Sequence, residues 1–283
     1  MSVLPCFRDW LERHRPELEA LVFDVDGVLL VGPRAVAGAA SLLERLASLA
    51  LPYRILTNDA NHSAEEKAAL LARAGLPVEP RAITSSGHGL VEAAGRAGLA
   101  GQLCFVLGRL GRPSYAEAAG IRVTARLAEL PDCRAALVGE GEYDWEATIN
   151  GVVNYLLARP AAPLVVPNPD LYYPGEDRRV HVAAGGVARL IASVCAAYGR
   201  PLEPLYLGKP HEPIFHHNHG RLESALGRPV QRRRVLMLGD SLASDVAGAR
   251  AFGYRSALVL TGATSGEGWR ASALRPELVF HAL

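Results

Sequence analysis

The sequence predicts an α/β fold: a doubly wound parallel-sheet (Rossmann-like) core with a smaller α/β domain inserted into it. Three observations carry that expectation. Short apolar runs of strand length alternate with segments of helical spacing along nearly the whole chain. The runs at 21–23 and 235–238 are apolar at every position, as in strands buried on both faces, and both lead into aspartates. Between them the alternation continues without another copy of that aspartate ending, which marks the middle of the chain as a separate domain.

Phe7, Trp10 and Leu11 lie on one side of a short amphipathic leader over 7–14, expected to pack outside the sheet. The strand 21–23 is followed by Leu42, Leu43, Leu46 and Leu49 at helical spacing and by a strand over 53–56 that ends in Thr57 and Asn58. Strand, helix, strand is a parallel crossover unit. Ser63 with Glu66 is a capping-box signature, Leu70 and Leu71 continue that helix, and Gly75 stops it. Ala82 and Ile83 start a third strand.

In the middle, strands are predicted over 103–107, 121–124, 135–138 and 164–166, with a helix over 145–158. Gly139 and Gly141 follow a strand, but the spacing of a dinucleotide-binding loop is incomplete, so no such cofactor is expected there. A helix over 185–198, a short strand over 205–207 leading into Gly208, Lys209 and Pro210, and a proline-led helix over 213–226 then resume the first pattern. Val235 opens the strand that runs into Gly239, Asp240, Ser241 and Asp245, and the small residues Ala247, Gly248 and Ala249 let the next helix press close to the sheet. Strands over 257–260 and 278–280 complete the core, which is expected to comprise 1–84 and 181–283 around an inserted domain of 85–180.

A chain of 283 residues with 49% hydrophobic and 21% charged residues can bury a sizeable core. Its net charge of +1 provides no field to recruit nucleic acid or an anionic membrane. Arg232, Arg233 and Arg234 precede an apolar strand and read as a solvated turn. Charges at Arg8, Asp9, Glu12, Arg13 and Arg15 break any apolar leader, and no run approaches membrane-spanning length, so a cytoplasmic protein is expected. Cys6, Cys104, Cys133 and Cys195 show no paired spacing and read as free thiols. Of the 30 basic residues only Lys67 and Lys209 are lysine. Lys67 falls in a charged helix and needs no special account, whereas Lys209 follows a strand, where a compact charge differs from a planar guanidinium.

Asp24 and Asp26 stand at alternate positions beyond a strand, so both carboxylates can address one substrate or cation, although a plain Asp-Gly turn would use the same residues. Thr57 with Asn58, Lys209, and Asp240 with Asp245 also follow strands, and parallel connectivity is expected to bring all of them to one edge of one sheet. Clustered carboxylates repel, and Mg²⁺, which takes oxygen ligands and retains waters and phosphate oxygens, relieves that repulsion. A hydroxyl, a backbone amide and a lysine would complete a phosphoryl cage. His211, His216, His217 and His219 have no ligand partners at a matching spacing and read as a hydrated helix surface.

On these residues the chain resembles the haloacid dehalogenase-like hydrolases, specifically the NagD-like phosphatases with a type IIA cap. The resemblance rests on DVDGV from Asp24, TN at Thr57 and Asn58, GKP around Lys209, GDSLASD from Gly239, NPD at Asn168 and Asp170, and YDW at Tyr143. It implies Asp24 as the nucleophile that forms an aspartyl phosphate and Asp26 as the acid and base. It also implies Thr57, the Asn58 backbone and Lys209 around the phosphoryl group. Mg²⁺ would be held by Asp24, the Asp26 carbonyl and Asp240, with Asp245 as an outer partner. The second aspartate, which the dehalogenases of the family lack, argues against dehalogenation. One departure is Asp59 with Ala60, where relatives often carry Asn and Ser; Asp59 is expected to face solvent.

The implied function is Mg²⁺-dependent hydrolysis of a small phosphorylated metabolite, with specificity in the cap loop of Asn168, Asp170 and Tyr172. A homodimer is compatible with it. A phosphotransferase or phosphomutase is the enzymatic alternative. A low-turnover metabolite-binding protein on the same fold is the other, against which Asp24, Asp26, Lys209 and Asp240 argue.

Overall fold

A computed structural model describes residues 3–174, 179–264 and 267–283. The chain forms two compact units, the first of Met1–Thr57, Lys67–Thr84 and Lys209–Leu283, the second of Asn58–Glu66 and Ser85–Gly208.

Strands of the first sheet are β1 (Leu4–Cys6), β2 (Ala20–Phe23), β3 (Tyr53–Thr57) and β4 (Ile83–Ser85) from the first third of the chain. The second unit supplies β5 (Leu103–Leu107), β6 (Arg122–Thr124), β7 (Ala136–Val138), β8 (Leu164–Val166) and β9 (Leu205–Tyr206). The chain then returns to the first sheet with β10 (Val235–Gly239), β11 (Arg255–Val259) and β12 (Leu278–Ala282).

The first sheet runs β1-β12-β11-β10-β2-β3-β4. Its pairings from β1 through to β3 are all parallel. Every residue of β2 and β10 is buried, as their unbroken apolar runs require. Successive strands after β2 build outward on one side and then, after β4, on the other, which makes the carboxyl end of β2 the point where strand order reverses. Helix α1 (Phe7–His14) buries Phe7, Trp10 and Leu11 against the sheet, with Phe7 edge-on to Phe23 and Phe280. Helix α2 (Ala39–Ser48) buries Leu42, Leu43 and Leu46.

The second sheet runs β9-β8-β7-β5-β6, also parallel. Alternate strand residues serve two cores: Phe105, Leu107, Ala136, Val138, Leu164 and Val166 on one face, Cys104, Val106, Leu137 and Val165 on the other. The first face is covered by α5 (Trp145–Ala158) and α6 (Ala184–Ala197), and the second by α4 (Gly89–Arg96). Helix α3 (Ala64–Arg73) links the two units in sequence, and its capping box is formed, with Glu66 N–H on Ser63 Oγ at 3.2 Å and Ser63 N–H on Glu66 Oε2 at 2.8 Å. Gly75, at φ +84°, follows its end.

Residues 181–208, placed with the core from the sequence, belong to the second unit. β9 pairs with β8 and α6 buries Val187, Ala188 and Ile191 in the same core as α5. The strand-helix rhythm is the same in both units, so nothing in the spacing marks the changeover. Lys209 therefore does not come from a strand of the first sheet, as expected, but from the loop that follows the edge strand of the second.

Gly139 proves to be a packing glycine, because a Cβ there would strike the backbone oxygen of Arg109 where the two loops bridge. Gly248, in α8 (Ala247–Phe252), presses on Phe215 of α7 (Glu212–Leu226) rather than on the sheet. Tyr172–Pro174 and Val180–Val182 pair as an antiparallel ribbon, where the sequence suggested a loop. No helix among the described residues is long and apolar enough to cross a membrane.

Candidate active site

Asp24 and Asp240 are the residues that follow β2 and β10, neighbouring parallel strands, and Asp24 N–H donates to Leu238 O at 3.0 Å. Thr57 ends the next strand on the other side and is 2% exposed. Three of the four predicted polar strand ends thus share one edge of one sheet. Lys209 joins them from its loop, with Nζ 2.8 Å from Asp24 Oδ1 and 2.7 Å from Asp245 Oδ1.

Asp245 sits in a π-helical turn, Leu242–Val246, closed by its N–H and that of Val246 on Ser241 O. Its second oxygen accepts the N–H groups of Asp240 at 3.1 Å and Ser241 at 3.0 Å. Asp240 Oδ2 accepts the N–H of Ala263 at 2.5 Å and fills a slot between Gly27 and Gly262, where a Cβ on either residue would collide with it. Gly27, at φ +80°, is needed twice over, for the turn and for that approach.

Ligand oxygens of Asp24, Asp240 and Asp245 lie within 4.8 Å of one another. Burial pushes the Asp24 carboxyl well above its ordinary range, opposed by Lys209 and reinforced by Asp245 and Asp240. Burial, with Asp245 adding, pushes Asp240 up to about 7. Lys209 is held above its ordinary value despite burial, because Asp24 and Asp245 flank it. Three carboxylates and one ammonium leave two negative charges uncompensated when all are ionised.

Asp26 is different. Its side chain is 63% exposed, and Lys67 Nζ, itself buried on α3, stands 3.7 Å from its Oδ2. The sequence reading of Lys67 as an ordinary helix residue is corrected by this pair. The signal was present in composition, since the chain's other lysine is Lys209.

The second unit holds a hydrogen-bonded group of its own. Asn58 Nδ2 donates to Asp170 Oδ1 at 3.0 Å, Asp170 N–H donates to Asn168 Oδ1 at 2.9 Å, and Asn168 Nδ2 donates to Glu140 Oε1 at 2.7 Å. Glu140, which sequence reasoning missed, is pushed up by burial against the hydrogen bonds from Asn168 and Ala184. Like Asp240 it follows a strand directly after a glycine, a signal that could have found it. Asn168 and Asp170 are thus engaged with their neighbours, whereas Tyr172 is 59% exposed.

Asp59 does not face solvent as expected. Its Oδ1 accepts the N–H groups of Asn61 at 2.9 Å and His62 at 3.1 Å, and its Oδ2 lies 2.8 Å from His62 Nδ1. The carboxylate closes its own loop, as aspartate side chains do in turns. The histidines are not a uniformly hydrated surface either: His216 is exposed and pairs with Glu212, whereas His219 is 8% exposed and meets Tyr254. Among the described residues, Asp24, Asp240 and Asp245 are the His, Cys, Asp or Glu grouping close enough to share a cation.

A family model described as haloacid dehalogenase-like hydrolase matches residues 21–122, and one described as HAD-hydrolase-like matches residues 206–283. Chronophin of Mus musculus is 31% identical over 263 residues, covering 88% of this chain and 83% of that protein. The chain belongs to the haloacid dehalogenase-like hydrolases. Its fold is also that of the solved NagD of E. coli K-12, which superposes with a TM-score of 0.77 at 22% identity over 94% of this chain and 96% of that one. Glycerol-3-phosphate phosphatase of Gallus gallus is 30% identical over 264 residues, covering 88% and 81% of the two chains. The solved structure of a possible sugar phosphatase from Cytophaga hutchinsonii superposes with a TM-score of 0.84 at 26% identity, covering 99% of this chain and 98% of that one. In this haloacid dehalogenase-like hydrolase the two matched segments contain Asp24, Asp26, Thr57, Asn58, Lys209, Asp240 and Asp245, while Asn168, Asp170 and Tyr172 lie outside both.

Proposed function

We propose that this protein is a phosphoric monoester hydrolase acting on a small phosphorylated metabolite through an aspartyl phosphate. The observation that carries the reading is Asp24, a buried carboxylate at the reversal point of the sheet, held 2.8 Å from Lys209. The relative named as a glycerol-3-phosphate phosphatase supports the same class.

An Asp24 oxygen attacks phosphorus as the bond to the alcohol oxygen breaks. The proton of Asp26 passes to that departing oxygen, which leaves Asp26 ionised and able to take a proton from the water that attacks phosphorus next. This second attack breaks the bond between phosphorus and Asp24, and inorganic phosphate leaves. Lys209 neutralises charge beside Asp24 throughout, and Thr57 with the Asn58 backbone holds phosphoryl oxygens. Tyr172 contributes to the choice among leaving groups.

The all-oxygen set of Asp24, Asp240 and Asp245 fits a hard divalent cation, and the two uncompensated negative charges match Mg²⁺. Asp24 and Asp240 would hold it, with the Asp26 carbonyl, while Asp245 stays behind them because both of its oxygens are engaged. When bound, Mg²⁺ supplies positive charge against the phosphoryl oxygens.

The test is phosphate release from a panel of sugar, polyol and nucleoside phosphates with Mg²⁺. Release that disappears in Asp24→Asn supports the reading. No release from any substrate, or full activity in that variant, overturns it.

A further inference from the structure

The two lysines of this arginine-rich chain each face one aspartate of the DVDG stretch: Lys209 meets Asp24, and Lys67 meets Asp26. The second pairing adds little stability of its own, because an ion pair to a carboxylate that is 63% exposed contributes at most about 1 kcal/mol. Lys67 is nevertheless 5% exposed on α3, and a buried ammonium on a helix is a rigid reference point for a neighbour whose side chain is largely exposed.

We propose that Lys67 is a positioning residue for Asp26, holding one carboxylate oxygen so that the other is presented to the leaving-group oxygen. This rests on the reading of Asp26 as the proton donor above. An exposed aspartate samples several rotamers, and proton transfer requires one of them. Lys67 narrows that choice without itself touching the phosphoryl group.

The experiment compares kcat/KM for glycerol 3-phosphate, whose alkoxide needs a proton to leave, with that for 4-nitrophenyl phosphate, whose phenolate does not. Both values report steps up to release of the alcohol, so hydrolysis of the phosphoenzyme does not enter. Lys67→Met is expected to lower the alkyl value about 10- to 100-fold and the aryl value no more than about threefold. Lys67→Arg, which retains the charge, recovers most of the alkyl activity. Asp26→Asn shows the same selectivity, and the Lys67→Met/Asp26→Asn double variant is no worse than Asp26→Asn alone. Should Lys67→Met fail to fold, Lys67→Gln carries the same comparison.

Equal losses on both substrates with a folded Lys67 variant overturn the proposal, as do additive losses in the double variant or an Arg variant as impaired as Met. If Asp26→Asn itself shows no selectivity, the reading of Asp26 as proton donor fails. If Asp26→Asn is selective and Lys67→Met is not, only the role of Lys67 fails.

Discussion

The ammonium of Lys209 lies 2.7 Å from Asp245, and both side chains are 1% exposed. The other oxygen of Asp245 holds the backbone N–H groups of Asp240 and Ser241, so one carboxylate sets both the cation beside Asp24 and the loop that carries Asp240. The geometry leaves Lys209 little freedom, and it bonds two carboxylates on different loops from a single nitrogen.

A guanidinium cannot reproduce that. Its donors are spread over a planar fork, and a fully buried position has no room for one. Lys209→Arg is expected to lower kcat/KM by about 10²–10³ for every substrate, the cost typical of a misplaced charge-stabilising group. Steady-state rates in folded protein decide it, and a variant within a few-fold of wild type would mean that the point charge is dispensable.

Metal binding has a readout apart from turnover. If Asp24 and Asp240 hold Mg²⁺, the folded state gains about 2.7 kcal/mol at a concentration near 100 Kd. A thermal scan with Mg²⁺ against EDTA should show a higher Tm with metal, and Asp240→Asn should remove most of the difference. Activity should stop with EDTA and return with Mg²⁺. Full activity in metal-free buffer contradicts the assignment.

Asp170 and Tyr172 are expected to behave differently from each other, where the sequence alone suggested one specificity loop. Asp170 accepts from Asn58, which directly follows Thr57, so Asp170→Ala should lower kcat/KM for all substrates by a similar factor, about tenfold for one lost hydrogen bond to a charged acceptor. Tyr172→Ala, at an exposed position, should change substrates unequally. A substrate panel measured on both variants separates the two, and unequal effects from Asp170→Ala would return it to the specificity group.

His217 makes stability depend on pH. Burial, with Arg221 and Arg54 adding, pushes its ring from 6.5 down to about 4. Between these values the unfolded chain binds the proton and the folded chain does not, so stability is full above about pH 6.5, falls as pH drops, and levels off below about 4. Discounted for a ring that is part exposed, the loss is roughly 1–2 kcal/mol. Urea denaturation at pH 7 and pH 4.5 should show a smaller difference in His217→Gln than in wild type, and an unchanged difference would assign the slope to other groups.

The fold was legible where burial on both faces leaves an unbroken apolar run. Leu103–Leu107, Leu164–Val166 and Trp145–Ala158 have the bounds expected from the sequence. The edge strand Leu4–Cys6 was not foreseen, because three half-exposed residues carry no pattern. The changeover near residue 208 was hidden for another reason: β9 takes its sheet from its pairing with β8, and pairing is not a property of its own residues. Within the site, residue types and strand ends located Asp24, Asp240 and Lys209. Rotation about a helix was not legible, and so Lys67 was given no special role and His219 was read as solvated, although both are buried on α3 and α7.

The scarcity of lysine has a practical side. Both lysine side chains are almost wholly shielded, at 7% and 1% exposure, while arginine guanidinium groups do not react with acylating or reductively alkylating reagents. Side-chain labelling by such reagents is therefore slow in the native protein, and when it occurs it reports on the neighbourhood of Asp24 and Asp26. Mass spectrometry of lightly acetylated protein, with and without a phosphate analogue, would then follow the accessibility of that one sheet edge with no introduced probe.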